Sequence, residues 1–182
     1  LLQSQRDKRS QIAMSLVTCL TPITEARRAW VPQVLRLLES QTFTERELLF
    51  VAESDWIAEF CTDPRVRFVI GIGVVGKKRN LGVAAAAGDI ICHTDSDDFY
   101  GPGRLADQVA RLEESGKAVT GYHTALFTNC AGGWWRYWGP KPYFAFGASL
   151  CYRRQWALEH PFPATQVGED SAFGGEAANA RE

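Results

Sequence analysis

Methionine is almost missing from this sequence: Met14 is its single copy in 182 residues, and the chain starts at Leu1. Neither sign of charge is in excess. Twenty Lys and Arg face 21 Asp and Glu for a net charge of -1, so the chain as a whole offers no electrostatic case for nucleic acid or an anionic membrane. No apolar run approaches the roughly 20 residues of a transmembrane helix. Residues 1–13 are too charged for the apolar core of a signal peptide. The five cysteines (Cys19, Cys61, Cys92, Cys130, Cys151) form no C-x-x-C pair, which leaves no zinc-type spacing. Their odd number, in an ordinary core composition, implies reduced thiols and a cytoplasmic location. There is no internal repeat, low-complexity tract or linker, and the length suits one domain.

What is present is an alternation of strand and helix patterns. Strands are expected at 14–20, 47–52, 66–70 and 90–94, short apolar runs of the kind buried in parallel sheets. Helices are expected at 27–41, 55–60, 77–87 and 102–115. Pro32 and Pro102 then fall near helix starts, and Gly88 and Gly116 just past helix ends. This β-α order argues a parallel sheet with helices on both faces. Beyond Lys117 the texture changes. A strand is expected at 118–128, a turn at Gly132-Gly133 and an aromatic strand or loop at 134–138. A further strand is expected at 144–152, then helices at 153–159 and 171–181. Residues 1–13 are expected to be an extension ahead of one domain, 14–182, with a donor half 14–116 and a C-terminally truncated acceptor half 117–182.

The fourth strand ends in Asp95-Ser96-Asp97-Asp98. Three carboxylates within four residues repel one another, and a divalent cation relieves that repulsion. Oxygen-only ligands favour Mg²⁺ or Mn²⁺, and strand carboxyl ends are where open α/β sheets bind ligands. An EF-hand is excluded, because Tyr100 stands where that loop requires glycine. Gly71-Ile72-Gly73-Val74-Val75-Gly76 matches G-x-G-x-x-G between a strand and a helix, the layout of a dinucleotide site in an NAD(P)-dependent oxidoreductase. However, that fingerprint belongs in the first βα turn and needs one acid on the next strand, not three. His93 is expected to be a buried, hydrogen-bonded residue.

A second pattern uses more of the chain. Lys78-Arg79-Asn80-Leu81-Gly82, Ala87-Gly88-Asp89-Ile90-Ile91, the acidic cluster, Gly147 to Arg154 and Gly168-Glu169-Asp170 occur in that order. Together they resemble the family 2 glycosyltransferases. Thr21-Pro22 and Glu47-Leu48-Leu49-Phe50-Val51 are similar to that family's opening β-α-β, so the likeness spans about residues 15–173. The resemblance implies a GT-A fold, with a mostly parallel Rossmann-like sheet, flanking helices and a smaller mixed acceptor-side region. It implies inverting transfer of a sugar from a nucleoside diphosphate sugar to a carbohydrate or other hydroxyl acceptor. On it, Asp97 would coordinate Mn²⁺ or Mg²⁺ and Asp95 would share the metal or contact the ribose. Asp98 would support the loop, and Pro22, Lys78, Arg79, Asn80 and Ser96 would join the donor site. Where the family has its base-contacting Asp this chain reads Val51-Ala52-Glu53-Ser54-Asp55, so Glu53 or Asp55 substitutes or the base contact differs. Asp170, beside Glu169, would be the catalytic base. Trp134, Trp135 and Trp138 would stack on an acceptor sugar or, in part, pack into the core. The rival from another class is a nucleotide-sugar-binding module without turnover.

Overall fold

The computed structural model describes residues 15–129, 131–139 and 145–179. Its centre is a six-stranded sheet in the order β3-β2-β1-β4-β8-β5. Strands β1 (Val17–Pro22), β2 (Arg46–Ala52), β3 (Val66–Ile70) and β4 (Ile90–His93) are parallel. Strand β8 (Cys151–Arg153) runs antiparallel to β4, and β5 (Val119–Thr120) antiparallel to β8.

Side chains alternate across the sheet, so each face carries its own core. On one face Val17, Cys19, Leu48, Phe50, Ile90 and Cys92 pack under helices α1 (Val31–Ser40) and α3 (Arg104–Ser115), through Val34, Leu38, Leu105, Val109 and Leu112. On the other, Leu20, Leu49, Val51, Ile91 and Tyr152 meet Val83 of α2 (Val75–Ala85), Ala157 of α4 (Arg154–Glu159) and Phe173 of α5 (Glu169–Asn179). Fully burying aliphatic side chains of this kind stabilises by about 1.5–3 kcal/mol each.

Several sequence expectations shift. Met14 lies outside the described residues, and β1 starts at Val17. The helix expected at 27–41 divides at Pro32. A 3-10 turn, Glu25–Trp30, precedes α1, whose first turn holds the proline where no N–H is required. The segment Asp55–Phe60 is a 3-10 helix. Helix α2 stops at Ala85, so Gly88 is not its cap. A side chain on residue 88 would lie 2.5 Å from the Leu16 carbonyl, and close packing on β1 is what requires glycine there. Gly116 does cap α3, with φ 64°. The strand expected at 118–128 becomes two: β5 in the main sheet and β6 (Thr124–Thr128), which pairs only with β7 (Trp134–Trp138) in an antiparallel hairpin. Of 144–152, residue 144 lies outside the described residues. Gly147–Ser149 form a 3-10 turn ahead of β8.

Strand order reverses at β1, whose neighbours are β2 and β4. In open α/β sheets the ligand crevice lies at such a switch point, outside the carboxyl ends of the strands, and the loops after β1, β2 and β4 begin there.

Candidate active site

The acidic residues follow β4 at that switch point. Thr94 is held there by its N–H to the Leu20 carbonyl at 2.9 Å and by the Thr21 hydroxyl, which donates to the Thr94 carbonyl at 2.7 Å. Tyr100 fixes the loop beyond. Its hydroxyl accepts the Asp95 N–H at 2.9 Å and lies 3.2 Å from the Ala148 carbonyl, to which the Arg104 guanidinium also donates. Arg104 stacks over the Tyr100 ring at 4.3 Å. Tyr100 and Arg104, which no sequence motif marks for this role, tie the acidic loop to the Gly147–Ser149 turn.

The three carboxylates differ. Asp95 is half-buried, and desolvation pushes its pKa up. Arg79 opposes that shift, while Asp97 and Asp170 add to it. Asp98 is pushed up to about 6, first by burial and then by the charges of Asp95 and Asp97. Asp97 stands at the exposed rim, where Arg27, from the turn after β1, reaches its Oδ1 at 2.5 Å and the Ser96 hydroxyl at 3.4 Å. Nothing in the sequence pattern marks Arg27 as a partner seventy residues away.

Helix α2 supplies the cations, and both are buried. Lys78 Nζ pairs with Glu53 Oε1 at 3.0 Å, bringing the loop after β2 into the crevice. Arg79 lies 3.2 Å from Glu169 and 3.8 Å from Asp95, so one guanidinium joins the acidic loop to α5. It also contacts the His93 ring, whose Nδ1 lies 2.8 Å from the Gly147 carbonyl and whose Nε2 lies 3.0 Å from the Tyr152 hydroxyl. His93 is thus the buried, hydrogen-bonded residue expected of it. Lys78 and Arg79 are not the solvated surface charges that their type alone would suggest.

Asn80 faces away from this cluster. Its amide donates to the Phe162 carbonyl and accepts the Phe162 N–H, both at 2.8 Å, and so holds the segment before α5 against α2. Pro22 closes β1 opposite Val51, and Ser96 is buried beside Arg27.

Glu169 and Asp170 open α5. Glu169 is buried, and desolvation raises its pKa against the lowering effect of Arg79. Asp170 is more open. Its Oδ1 accepts the Ser171 N–H at 2.7 Å, and its Oδ2 packs on Gly147, 1.9 Å from where a Cβ would stand. Trp134, Trp135 and Trp138 lie apart from these groups on the β6–β7 hairpin, Trp135 on one face and the other two on the opposite face.

The glycine loop at 71–76 does not form an open phosphate cradle. The Gly76 N–H donates to the Thr165 carbonyl at 3.2 Å and the Val75 N–H to Gln166 Oε1 at 3.3 Å. A side chain at 76 would collide with the Pro163 carbonyl at 2.0 Å. The start of α2, where a dinucleotide pyrophosphate would sit, is covered by residues 163–166.

Among the described residues, no group of three or more His, Cys, Asp or Glu side chains could hold a metal by itself. Asp95 and Asp97 offer carboxylate oxygens two residues apart on the loop after β4. That donor set fits Mg²⁺ or Mn²⁺, ions bound through one or two carboxylates with substrate phosphates and water completing the shell.

Residues 23–165 match the family model described as glycosyl transferase family 2. The chain belongs to glycosyl transferase family 2. Comparison with curated proteins gives no match. Among solved structures, Staphylococcus aureus TarS 1-349 superposes with TM-score 0.67 at 18% identity, over 89% of this chain and 55% of that one. The same TarS fragment in complex with UDP-GlcNAc gives 0.66 at 20%, over 89% and 53%. The mannosyltransferase PcManGT from Pyrobaculum calidifontis, in complex with GDP-Man and Mn²⁺, gives 0.68 at 16%, over 90% and 52%. The family 2 chain therefore has the GT-A architecture and spans about half the length of these solved chains. No helix among its described residues is long and apolar enough to cross a membrane.

Proposed function

We propose that this family 2 chain is an inverting, metal-dependent glycosyltransferase that moves a sugar from a nucleoside diphosphate sugar to an acceptor hydroxyl. The observation that carries the reading is the position of Arg79, one buried guanidinium between Asp95 of the acidic loop and Glu169 beside Asp170. It makes the donor end and the base end parts of one electrostatic unit. The UDP-GlcNAc and GDP-Man named with the similar structures support a UDP- or GDP-sugar as donor.

In this reading Asp97 and Asp95 hold Mn²⁺ or Mg²⁺, and the ion when bound neutralises charge on the departing diphosphate. Lys78 and Arg79 supply fixed positive charge beside it. Pro22, Glu53 and Ser96 line the donor side, and Asn80 positions the wall that carries α5. Glu169 is tied to Arg79, which leaves Asp170 to accept the acceptor's proton. As the hydroxyl oxygen bonds the anomeric carbon, the bond from that carbon to the diphosphate oxygen breaks and its electron pair leaves with the diphosphate. One displacement inverts the centre. Trp135, on the inner face of the hairpin, borders the acceptor side. Free thiols at Cys19, Cys61, Cys92 and Cys151 support a cytoplasmic setting.

The test is a thermal-shift panel of nucleotide sugars with and without Mn²⁺, followed by transfer assays of Asp170→Asn. A UDP- or GDP-sugar should stabilise only with metal, and the variant should keep that response while losing transfer. Metal-independent stabilisation by NAD(P), or unchanged transfer by the variant, overturns the reading. Donor binding without turnover by the native chain favours the binding module.

A further inference from the structure

The β6–β7 hairpin exposes an apolar surface that sugar transfer as described leaves unexplained. Pairing of Leu126 with Arg136 and of Phe127 with Trp135 sorts its residues onto two faces. The inner face leans on the domain: Phe127 and Tyr137 pack edge-to-face against Phe146 at 5.8 and 5.5 Å. These inner rings are 40% (Phe127), 48% (Trp135) and 45% (Tyr137) exposed. The outer face carries Leu126, Trp134 and Trp138 at 66%, 68% and 61%, with Arg136 over the Trp138 ring at 5.6 Å. Large apolar side chains gathered this openly on one ribbon mark an interaction site.

Charge selects the partner. Between Glu114 and Glu159 the sequence has no acid at all, so all 21 acids lie elsewhere; Arg153 pairs with Glu113 and Arg154 donates to the Val83 and Ala84 carbonyls, while Arg136 is the cation on the outer face of the hairpin. The overall charge of -1 therefore conceals an acid-free segment with the aromatic hairpin near its middle. Indole rings beside an arginine suit the headgroup boundary of a bilayer, where an apolar body and a polar edge are both satisfied. A saccharide platform is favoured by carboxylates or amides beside the rings to take up hydroxyls. The outer face, made of Thr124, Leu126, Thr128, Trp134, Arg136 and Trp138, has neither.

We infer that the outer face of the hairpin docks on an anionic lipid surface, lying in the interface without spanning it. Phe146, against which the inner face rests, is the neighbour of Gly147, on which the Asp170 carboxylate packs. Docking there brings the turn on which Asp170 packs near the membrane, so that a lipid-borne molecule can present the acceptor hydroxyl. That last consequence rests on the sugar-transfer reading; the docking itself does not.

Flotation of the full chain with phosphatidylcholine vesicles, alone or with about 30 mol % phosphatidylglycerol, tests the docking. The native chain should float with the anionic vesicles. Trp134→Ser/Trp138→Ser should lower that partition roughly tenfold or more, and Arg136→Gln should weaken it on anionic vesicles alone. Leu126→Ser is a second, smaller change on the same face, and circular dichroism melting confirms that each variant is folded. Failure of the native chain to float overturns the inference, as does flotation unaffected by these variants. So does tryptophan-dependent self-association without lipid, or tryptophan-dependent binding of a soluble oligosaccharide. Because flotation needs no donor, its failure is distinguishable from a failure of nucleotide-sugar binding or transfer.

Discussion

The Asp170 carboxylate occupies the space that a side chain on residue 147 would fill, with its Oδ2 1.9 Å from the ideal Cβ position on Gly147. Gly147 keeps an ordinary backbone, so its lack of a side chain serves this contact and not a turn. Gly147→Ala should therefore fold and bind donor but displace the carboxylate. Transfer should fall about tenfold or more, since small misplacements of a reacting group are costly. Thermal shift with nucleotide sugar and steady-state kinetics separate the two effects, and unchanged kcat would remove Asp170 from the reacting geometry.

Arg79 and Glu169 are both buried, at 3.2 Å. Removing one partner leaves a buried charge uncompensated, so Arg79→Met should destabilise by about 3 kcal/mol in urea unfolding. Adding Glu169→Gln should restore part of that loss. A double-mutant cycle with no coupling would show that the pair does not hold α5 to α2.

The raised pKa of Asp98, about 6, makes a signed prediction. Its folded form binds its proton more tightly than the unfolded chain, whose Asp titrates near 3.9. The associated stability is present at pH 4 and below and is lost as pH rises through about 6. Asp98→Asn should flatten the pH 4–7 dependence of the urea midpoint and raise stability at pH 7, on the order of 1 kcal/mol. An unchanged slope would place the burial elsewhere.

Cysteine reactivity should sort by depth. Cys92 and Cys151 are cross-strand partners with sulfurs 2.9 Å apart, fully buried, and Cys19 lies beside them with its thiol pushed up to about 12 by desolvation. Cys61 is half-buried, and its thiol is raised by burial to a smaller degree. Alkylation of the native protein followed by peptide mapping should label Cys61 ahead of these three. Early labelling of Cys92 or Cys151 would mean that the β4–β8 pair opens readily.

Arg27 meets Asp97 across an exposed ion pair, where a bound cation would compete with it. Such pairs contribute at most about 1 kcal/mol. Arg27→Gln should therefore tighten Mn²⁺ binding by the nucleotide-free protein only about two- to fivefold, measured by calorimetry. A larger change, or a weakening, would mean that Arg27 organises the loop instead of occupying it.

Local chemistry was legible in advance. The β-α alternation, the acids at the end of β4 and the acidic pair opening α5 depend on neighbours a few residues apart, where strand period and charge repulsion act. By itself the sequence thus determined an α/β sheet with an anionic site at a strand end. The tertiary structure decided which groups meet there. Lys78 and Arg79 are buried and ion-paired only because α2 is laid against β1 and α5, and Asn80 reads as a ligand until Phe162, 82 residues on, takes both ends of its amide. Residues 118–128 carry one β pattern, yet β5 completes the main sheet while β6 leaves it to pair with β7. Pairing partners and burial are set by contacts between distant segments, and no local pattern encodes which distant backbone will supply them.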